Sequence, residues 1–241
     1  MKLFKPLLIA AFSAFAISSA SAEDYNRIGI SYNNNHFGFN DWLNDGAFKG
    51  LIDGISLNGV GINYIHGFSL SQSTPIFIET GINANFGVGS TDTQALLTDG
   101  YDYYSTEIEL KAQNVNLQVP VNFVYRIAAS EDVTIAPYAG LNFKFNIVTK
   151  IKGKVSVDDI SQESDWYSLF SGDDMEEAFG DDGTGNRFQM GWHIGVGVQY
   201  KPIYLGVSYG TDFIAAYSQK FNGKSAKINT RNLTVNVGYT F

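Results

Sequence analysis

The sequence predicts an all-β protein, an eight-stranded antiparallel up-and-down transmembrane β-barrel with short periplasmic turns and long extracellular loops. Three observations carry this. Apolar residues recur with period two over segments of about 10 residues, longer than the usual soluble strand of about 5–6. The opposite face is Gly, Asn, Gln, Ser and Thr, from which no water-soluble core is built. The connections alternate short and long.

Composition sets the frame. Of 241 residues, 17% are charged and 15% aromatic, with 25 Gly, 5 Pro and no Cys. The charged share lies below the roughly 25% of ordinary globular chains. A mean hydropathy of −0.07 is too polar for a bundle of membrane helices and too apolar for disorder. Without Cys there is no disulfide scaffold, thiolate chemistry, cysteine-ligated zinc or lipoprotein anchor. A net charge of −8 argues against nucleic acid as a partner.

Residues 1–22 read as a secretory signal peptide, which leaves 23–241 as the barrel domain. Lys2 and Lys5 form the charged start, Leu7 to Ile17 the apolar run, and Ala20-Ser21-Ala22 the cleavage pattern. The run is shorter than the roughly 20 residues of a spanning helix. Its removal deletes two Lys and no acid, so the net charge moves from −8 to about −10.

The strands follow in order. Ile28, Ile30 and Tyr32 mark the first, and Val60, Ile62 and Tyr64 the second. Ile76, Ile78, Thr80, Ile82, Ala84 and Phe86 mark the third. The fourth sets Val115, Leu117, Val119, Val121, Phe123 and Tyr125 against Asn114, Asn116, Gln118, Pro120, Asn122 and Arg126. The fifth runs from Ile135 to Ile147, with Ala136, Tyr138, Gly140, Asn142, Lys144 and Asn146 on its polar side. The sixth alternates from Phe188 to Tyr200, with Gln189, Gly191, His193, Gly195, Gly197 and Gln199 behind. Leu205, Val207 and Tyr209 mark the seventh, and Leu233, Val235, Val237, Tyr239 and Phe241 the eighth. Pro120 and Pro137 each remove a ladder donor, which predicts a bulge or strand end at both. An even strand number suits a closed barrel, and closure is compulsory in lipid.

Short links fall at Ser71–Pro75, Ala128–Asp132 and Lys201-Pro202. Long ones span about Asn33–Ser56, Gly87–Glu107, Thr149–Asn186 and Phe213–Asn229. A soluble ligand-carrying barrel would also alternate, but with its apolar face inward. Here the polar face is Gly, Asn, Gln, Ser and Thr with a few charges, and no water-soluble core is built from Asn and Gly. The apolar face must therefore meet lipid, which places the chain in the cell outer membrane of a Gram-negative envelope.

Several stretches resemble the outer-membrane β-barrel family of Bacteroidota, described as porin-family or PorT-like. They are Pro75-Ile76-Phe77-Ile78-Glu79-Thr80-Gly81, Asn116–Tyr125 with its Pro in place, and Pro137-Tyr138-Ala139-Gly140. Gly195–Tyr200, Tyr204–Gly210 and the terminal Gly238-Tyr239-Thr240-Phe241 complete the likeness. The resemblance implies a barrel fold and accounts for Pro120. It lies in the strands, so it implies no activity.

Three His are candidates for chemistry: His36 in the first long loop, His66 near the periplasmic end of the second strand, and inward-facing His193. A lipid-modifying enzyme would need a His beside a nucleophile and an orienting carboxylate. The His-x-Ser pair that deacylase barrels share is absent, and His193 has only Ser208 or Asp212 to meet across the bore. No metal-ligand spacing is present, and no cofactor or catalytic residue is assigned. The protein is expected not to be an enzyme.

The inward charges are Arg27, Glu79, Arg126, Lys144 and Asp212, with Glu79 the clear acid for three bases. With His193 they form a polar network that either plugs the bore or selects solutes in a narrow channel. Between Lys150 and Arg187, ten acids stand against four bases. Trp166, Leu169 and Phe170 there are spaced for a short amphipathic helix. Asp173-Asp174 and Asp181-Asp182-Gly183 offer oxygen ligands without EF-hand spacing. This 149–187 loop either packs on the barrel mouth or binds an extracellular ligand. Phe241 is the expected insertion signal, read by the barrel-assembly machinery. The remaining expected partner is outer-membrane lipid, around a monomer with a structural or surface-binding role.

Overall fold

The computed structural model describes residues 23–39, 54–71, 73–98, 103–157, 160–179, 185–221 and 224–241. The signal-peptide reading, Asp181, Asp182 and Gly183 lie outside them.

Eight strands form a closed antiparallel ring: β1 (Tyr25–Phe39), β2 (Gly54–Ser69), β3 (Ile76–Thr98), β4 (Tyr103–Tyr125), β5 (Val133–Val157), β6 (Phe188–Tyr200), β7 (Ile203–Asp212) and β8 (Lys224–Thr240). Each pairs with its sequence neighbour, and β8 closes on β1 from Arg27↔Thr240 to Phe39↔Ile228. Phe241 adds the last rung, since its N–H donates to Asn26 O and Asn26 N–H donates to Phe241 O, both at 2.9 Å. No sheet edge is left within the ring for lipid to meet.

The expected faces are in place. Ile30, Val60 and Ile62 on the outer wall are 64%, 65% and 67% exposed. Asn33, Asn63, Asn114, Asn116 and Asn146 on the inner wall are buried. A soluble carrier would show the reverse.

The connections at 87–107 and 213–229 are largely strand among the described residues, and strand extends into both ends of 33–56 and the start of 149–186, which corrects their reading as loops. β3 and β4 have 23 residues each and β5 has 25, against the roughly 9–11 that cross a bilayer. Period two persists beyond the membrane, but its polarity inverts. On β4, Thr106, Ile108, Leu110 and Ala112 continue the inward parity of Asn114, while Glu107, Glu109 and Lys111 point out. β5 makes the same switch through a register shift opposite Val115/Asn116. That shift leaves Ile147 unpaired, so Asn146 is inward before it and Thr149 after it. Outside lipid, water again favours charge outside and apolar groups inside.

The prolines behave differently from one another. Val119 and Pro120 are missing from the β3–β4 ladder, as the absent donor requires, while Pro120↔Asn142 continues on the β5 side. Pro137 pairs in unbroken register with Val196, so no bulge forms there. Its ring points outward and needs no inner-wall space.

The expected helix around Trp166–Phe170 is not formed. Tyr167–Ser168 instead pairs with Lys150 and Ile151 of β5, and helix α1 spans Gly172–Phe179. Ser171 caps α1, its Oγ accepting from Asp174 N–H at 3.2 Å and its carbonyl from Met175 N–H at 3.1 Å. Asp173 and Asp174 favour the positive end of the helix dipole. A placed cap outweighs a three-residue apolar period.

Candidate functional site

The bore is where the fold buries charge, and it is built in layers from the periplasmic end. Tyr25, Phe77, Val124 and Ala136 form a floor, with Tyr138 packed against it. Glycines on the inner wall make room for its rings. A Cβ on Gly195 would run into Tyr138, and one on Gly197 into Tyr204. The Arg126 guanidinium stacks 4.3 Å from the Tyr25 ring centre and donates to Gln199 Oε1 at 2.8 Å.

Above the floor, Arg27 Nη2 lies 3.0 Å from Glu79 Oε1, with both side chains buried. Tyr25 OH donates to the same oxygen at 2.5 Å, and Asn122 Nδ2 to Glu79 Oε2 at 3.4 Å. The Arg27 guanidinium also sits 3.7 Å from the Tyr204 ring centre. A second pair crosses from β5 to β7, where Lys144 Nζ donates to Asp212 Oδ2 at 2.7 Å and to Asn232 Oδ1 at 3.3 Å. Glu79 therefore serves Arg27 alone of the three bases, which corrects the expected sharing. Asp212 takes Lys144 because β7 brings its inward carboxylate across the bore. Arg126 is satisfied by an amide and two rings.

His193 Nε2 meets Asn122 Oδ1 at 2.6 Å, not Ser208 or Asp212. Nε2 is thus taken up by an amide, and among the described residues no hydrogen bond joins His193 to Ser208 or Asp212. His36 bonds Ser56 Oγ at 3.0 Å and His66 bonds Asn26 Oδ1 at 2.8 Å. Among the described residues no group of three His, Asp or Glu side chains could hold a metal ion.

The next layer was missed in the sequence. Side-chain amides hand hydrogen bonds around the wall in one direction. Thr234 Oγ1 donates to Asn33 Oδ1 at 3.0 Å, Asn33 to Asn85 at 2.9 Å, and Asn85 to Asn116 at 3.1 Å. Asn116 donates to Asn114 at 2.5 Å, Asn114 to Asn146 at 3.1 Å, and Asn146 to Gln189 at 2.8 Å. Gln189 then donates to Thr230 Oγ1 at 2.8 Å, returning the chain to β8. The repeated inward Asn of β1, β3, β4 and β5 was the available signal.

At the extracellular end the bore turns apolar. Phe37, Ile55, Leu57 and Ala112 are buried together, with Ile151, Ala216 and Ile228 against them. α1 lies above, its Met175 buried with Tyr217 and flanked by Leu169 and Ile228. Ile151, Leu169 and Met175 of the 149–187 segment thus pack on the mouth. Asp174 is spent within the segment, accepting from Ser168 N–H at 2.7 Å. Between the layers a polar cavity of about 70 Å³ remains, enough for about five waters at ~10–15 Å³ each.

Outside the membrane, Lys152 Nζ lies 3.1 Å from Glu163 Oε1 and Lys111 Nζ 3.9 Å from it. The hydrogen bond from Lys152, together with the nearby Lys111 and Lys154, holds the Glu163 carboxyl below the usual carboxylate range. At the other end Phe241 is 64% exposed on the lipid face, its ring centre 6.4 Å from that of Tyr239.

Several solved structures are similar to this chain. The attachment invasion locus protein Ail of Yersinia pestis has 15% identity, over 91% of this chain and 99% of that one, with a TM-score of 0.31. A major outer membrane protein from Thermus thermophilus has 15% identity, over 89% and 99%, with a TM-score of 0.36. Neisserial surface protein A has 12% identity, over 90% and 97%, with a TM-score of 0.33. No curated protein matches the chain. The family model for the outer membrane protein beta-barrel domain matches residues 7–241. This chain, located in the cell outer membrane, belongs to that family.

Proposed function

We propose that the protein is a closed, non-conducting barrel with a structural or surface-binding role. The filled bore carries this reading. An aromatic floor, two buried ion pairs, a belt of amides and an apolar cap follow one another along the axis. The polar cavity among these layers is only about 70 Å³, room for a few waters, which supports a closed bore. Binding then falls to the extracellular strand extensions and the α1 segment, where Asp173, Glu176 and Glu177 sit on a short helix over the mouth. The hydrogen bond of His193 Nε2 to the Asn122 amide, rather than to Ser208, favours this non-enzymatic reading over a lipid-modifying enzyme.

Within the family, the strand motifs from Pro75 to Gly81 and Asn116 to Tyr125 support a PorT-like relationship. Export through the 1–22 signal, assembly as a monomer and recognition of Phe241 by the barrel-assembly machinery belong to the same proposal. Planar-bilayer recording of the purified barrel tests closure. The expected trace has no stable open level. A steady nanosiemens-scale channel in the wild type overturns the reading in favour of a narrow porin.

A further inference from the structure

The apolar belt of the barrel is not equally tall all round. Rungs of the ladder followed once round the ring, from Asn26 through Thr80, Leu141 and Thr211, return to β1 at His36, ten residues above the start. That climb sets the level of every outward residue along the axis. Each residue adds ~2.5 Å of height on a strand tilted about 40–45°, and each crossing to the next strand along a rung adds ~3 Å.

The periplasmic border of the belt is level. Ile76, Tyr125, Ile135, Tyr200 and Phe241 all lie within ~5 Å of the height of Asn26. The extracellular border is not level. On β3 to β6 the outward apolar run ends at Val88, Val115, Val148 and Phe188, ~25–28 Å above Asn26. On β8, β1 and β2 it ends at Leu233, Tyr32 and Val60, only ~15–18 Å above it.

Polar residues stand directly above the low border. They are Asn34 and His36 on β1, Asn58 and Ser56 on β2, and exposed Arg231 on β8. Asn58 Oδ1 accepts from Tyr32 OH at 2.6 Å and from Asn34 Nδ2 at 2.8 Å, and His36 bonds Ser56 Oγ at 3.0 Å. A bilayer whose hydrocarbon reached the higher border all round would bury this group and the Arg231 guanidinium, which is costly. Tilting the barrel does not remove the mismatch, because it raises or lowers both borders of one side together. A bilayer meets a short apolar stretch by thinning. We propose that β8, β1 and β2 face an outer leaflet thinned by ~8–10 Å relative to the leaflet against β3 to β6, so that the protein imposes a local step in membrane thickness. This concerns the outer wall, and it stands or falls separately from closure of the bore.

The chain has no Cys, so a single introduced thiol reports one position. Asn58 on β2 and Phe145 on β5 both face outward at the same level, ~23 Å above Asn26. Asn58→Cys and Phe145→Cys, each labelled with bimane, are folded into phosphatidylcholine vesicles, with folding read from heat-modifiable mobility. Quenching by lipid brominated on its acyl chains and by aqueous iodide is then measured. The Phe145→Cys label should be quenched several-fold more by brominated lipid, and the Asn58→Cys label several-fold more by iodide. Equal quenching by brominated lipid at the two positions means a bilayer of uniform thickness and overturns the proposal. An Asn58→Cys label shielded from both quenchers means that a second copy covers the step, which also overturns it. Asn34→Cys on β1 and Leu117→Cys on β4, a second pair at one level of ~20 Å, repeat the comparison where a variant of the first pair does not fold.

Discussion

Replacing Glu79 by Gln tests whether the lower bore is dry. The substitution keeps the volume and one acceptor oxygen, so Tyr25 OH retains a partner. It removes the charge opposite Arg27, which is 6% exposed and has the Tyr204 ring as further electrostatic support. It also turns an amide N–H towards Asn122 Nδ2 or the guanidinium, where every neighbour is a donor. Breaking a buried pair while leaving one member charged costs about 3–5 kcal/mol. Removing both members, as Arg27→Met with Glu79→Leu, strands no charge and should recover most of that loss. Urea titration in phosphatidylcholine vesicles, with the folded fraction read from heat-modifiable mobility, gives both numbers. A loss under about 1 kcal/mol in the single variant would mean a water-screened pair. A double variant weaker than the single one would refute desolvation as the cause.

Two further outcomes are expected. Gly197→Ala pushes a methyl into the Tyr204 ring and should cost about 1–3 kcal/mol by overpacking; an unchanged urea midpoint would mean that Tyr204 does not lie on Gly197 as described. Deleting Phe241 removes two backbone bonds to Asn26 and a lipid-facing ring, and should lower the yield of heat-modifiable barrel in cells. An unchanged yield would count against its role in insertion.

The parts of the fold that were legible in the sequence are those where the two faces contrast most. From Val115 to Tyr125 every second residue is apolar, and those between are polar apart from Pro120 and from Val124, which turns inward to join the floor. Beyond the membrane the same period continues, but Ile108 and Leu110 face in while Lys111 faces out. A reading tuned to apolar-outward strands stops there. One unpaired residue at Ile147 reverses the parity of all that follows on β5, and nothing in the local sequence marks it. Parity identified Arg27, Glu79, Lys144 and Asp212 as inward. It did not say which pairs meet, because that depends on the stagger between strands that are not neighbours in sequence.

The belt of amides has an electrical consequence. Each side-chain amide is a dipole, and here the dipoles run head to tail around the circumference. Vectors laid tangentially around a closed path nearly cancel. What survives is the small axial part due to the offset between Thr234, where the chain leaves β8, and Thr230, where it returns. The belt therefore adds polarity to the wall while imposing almost no field along the axis. Arg27 with Glu79 and Lys144 with Asp212 are each neutral as pairs. The base left without a carboxylate inside the bore among the described residues is therefore Arg126 at the periplasmic mouth, which has an amide and two rings for partners.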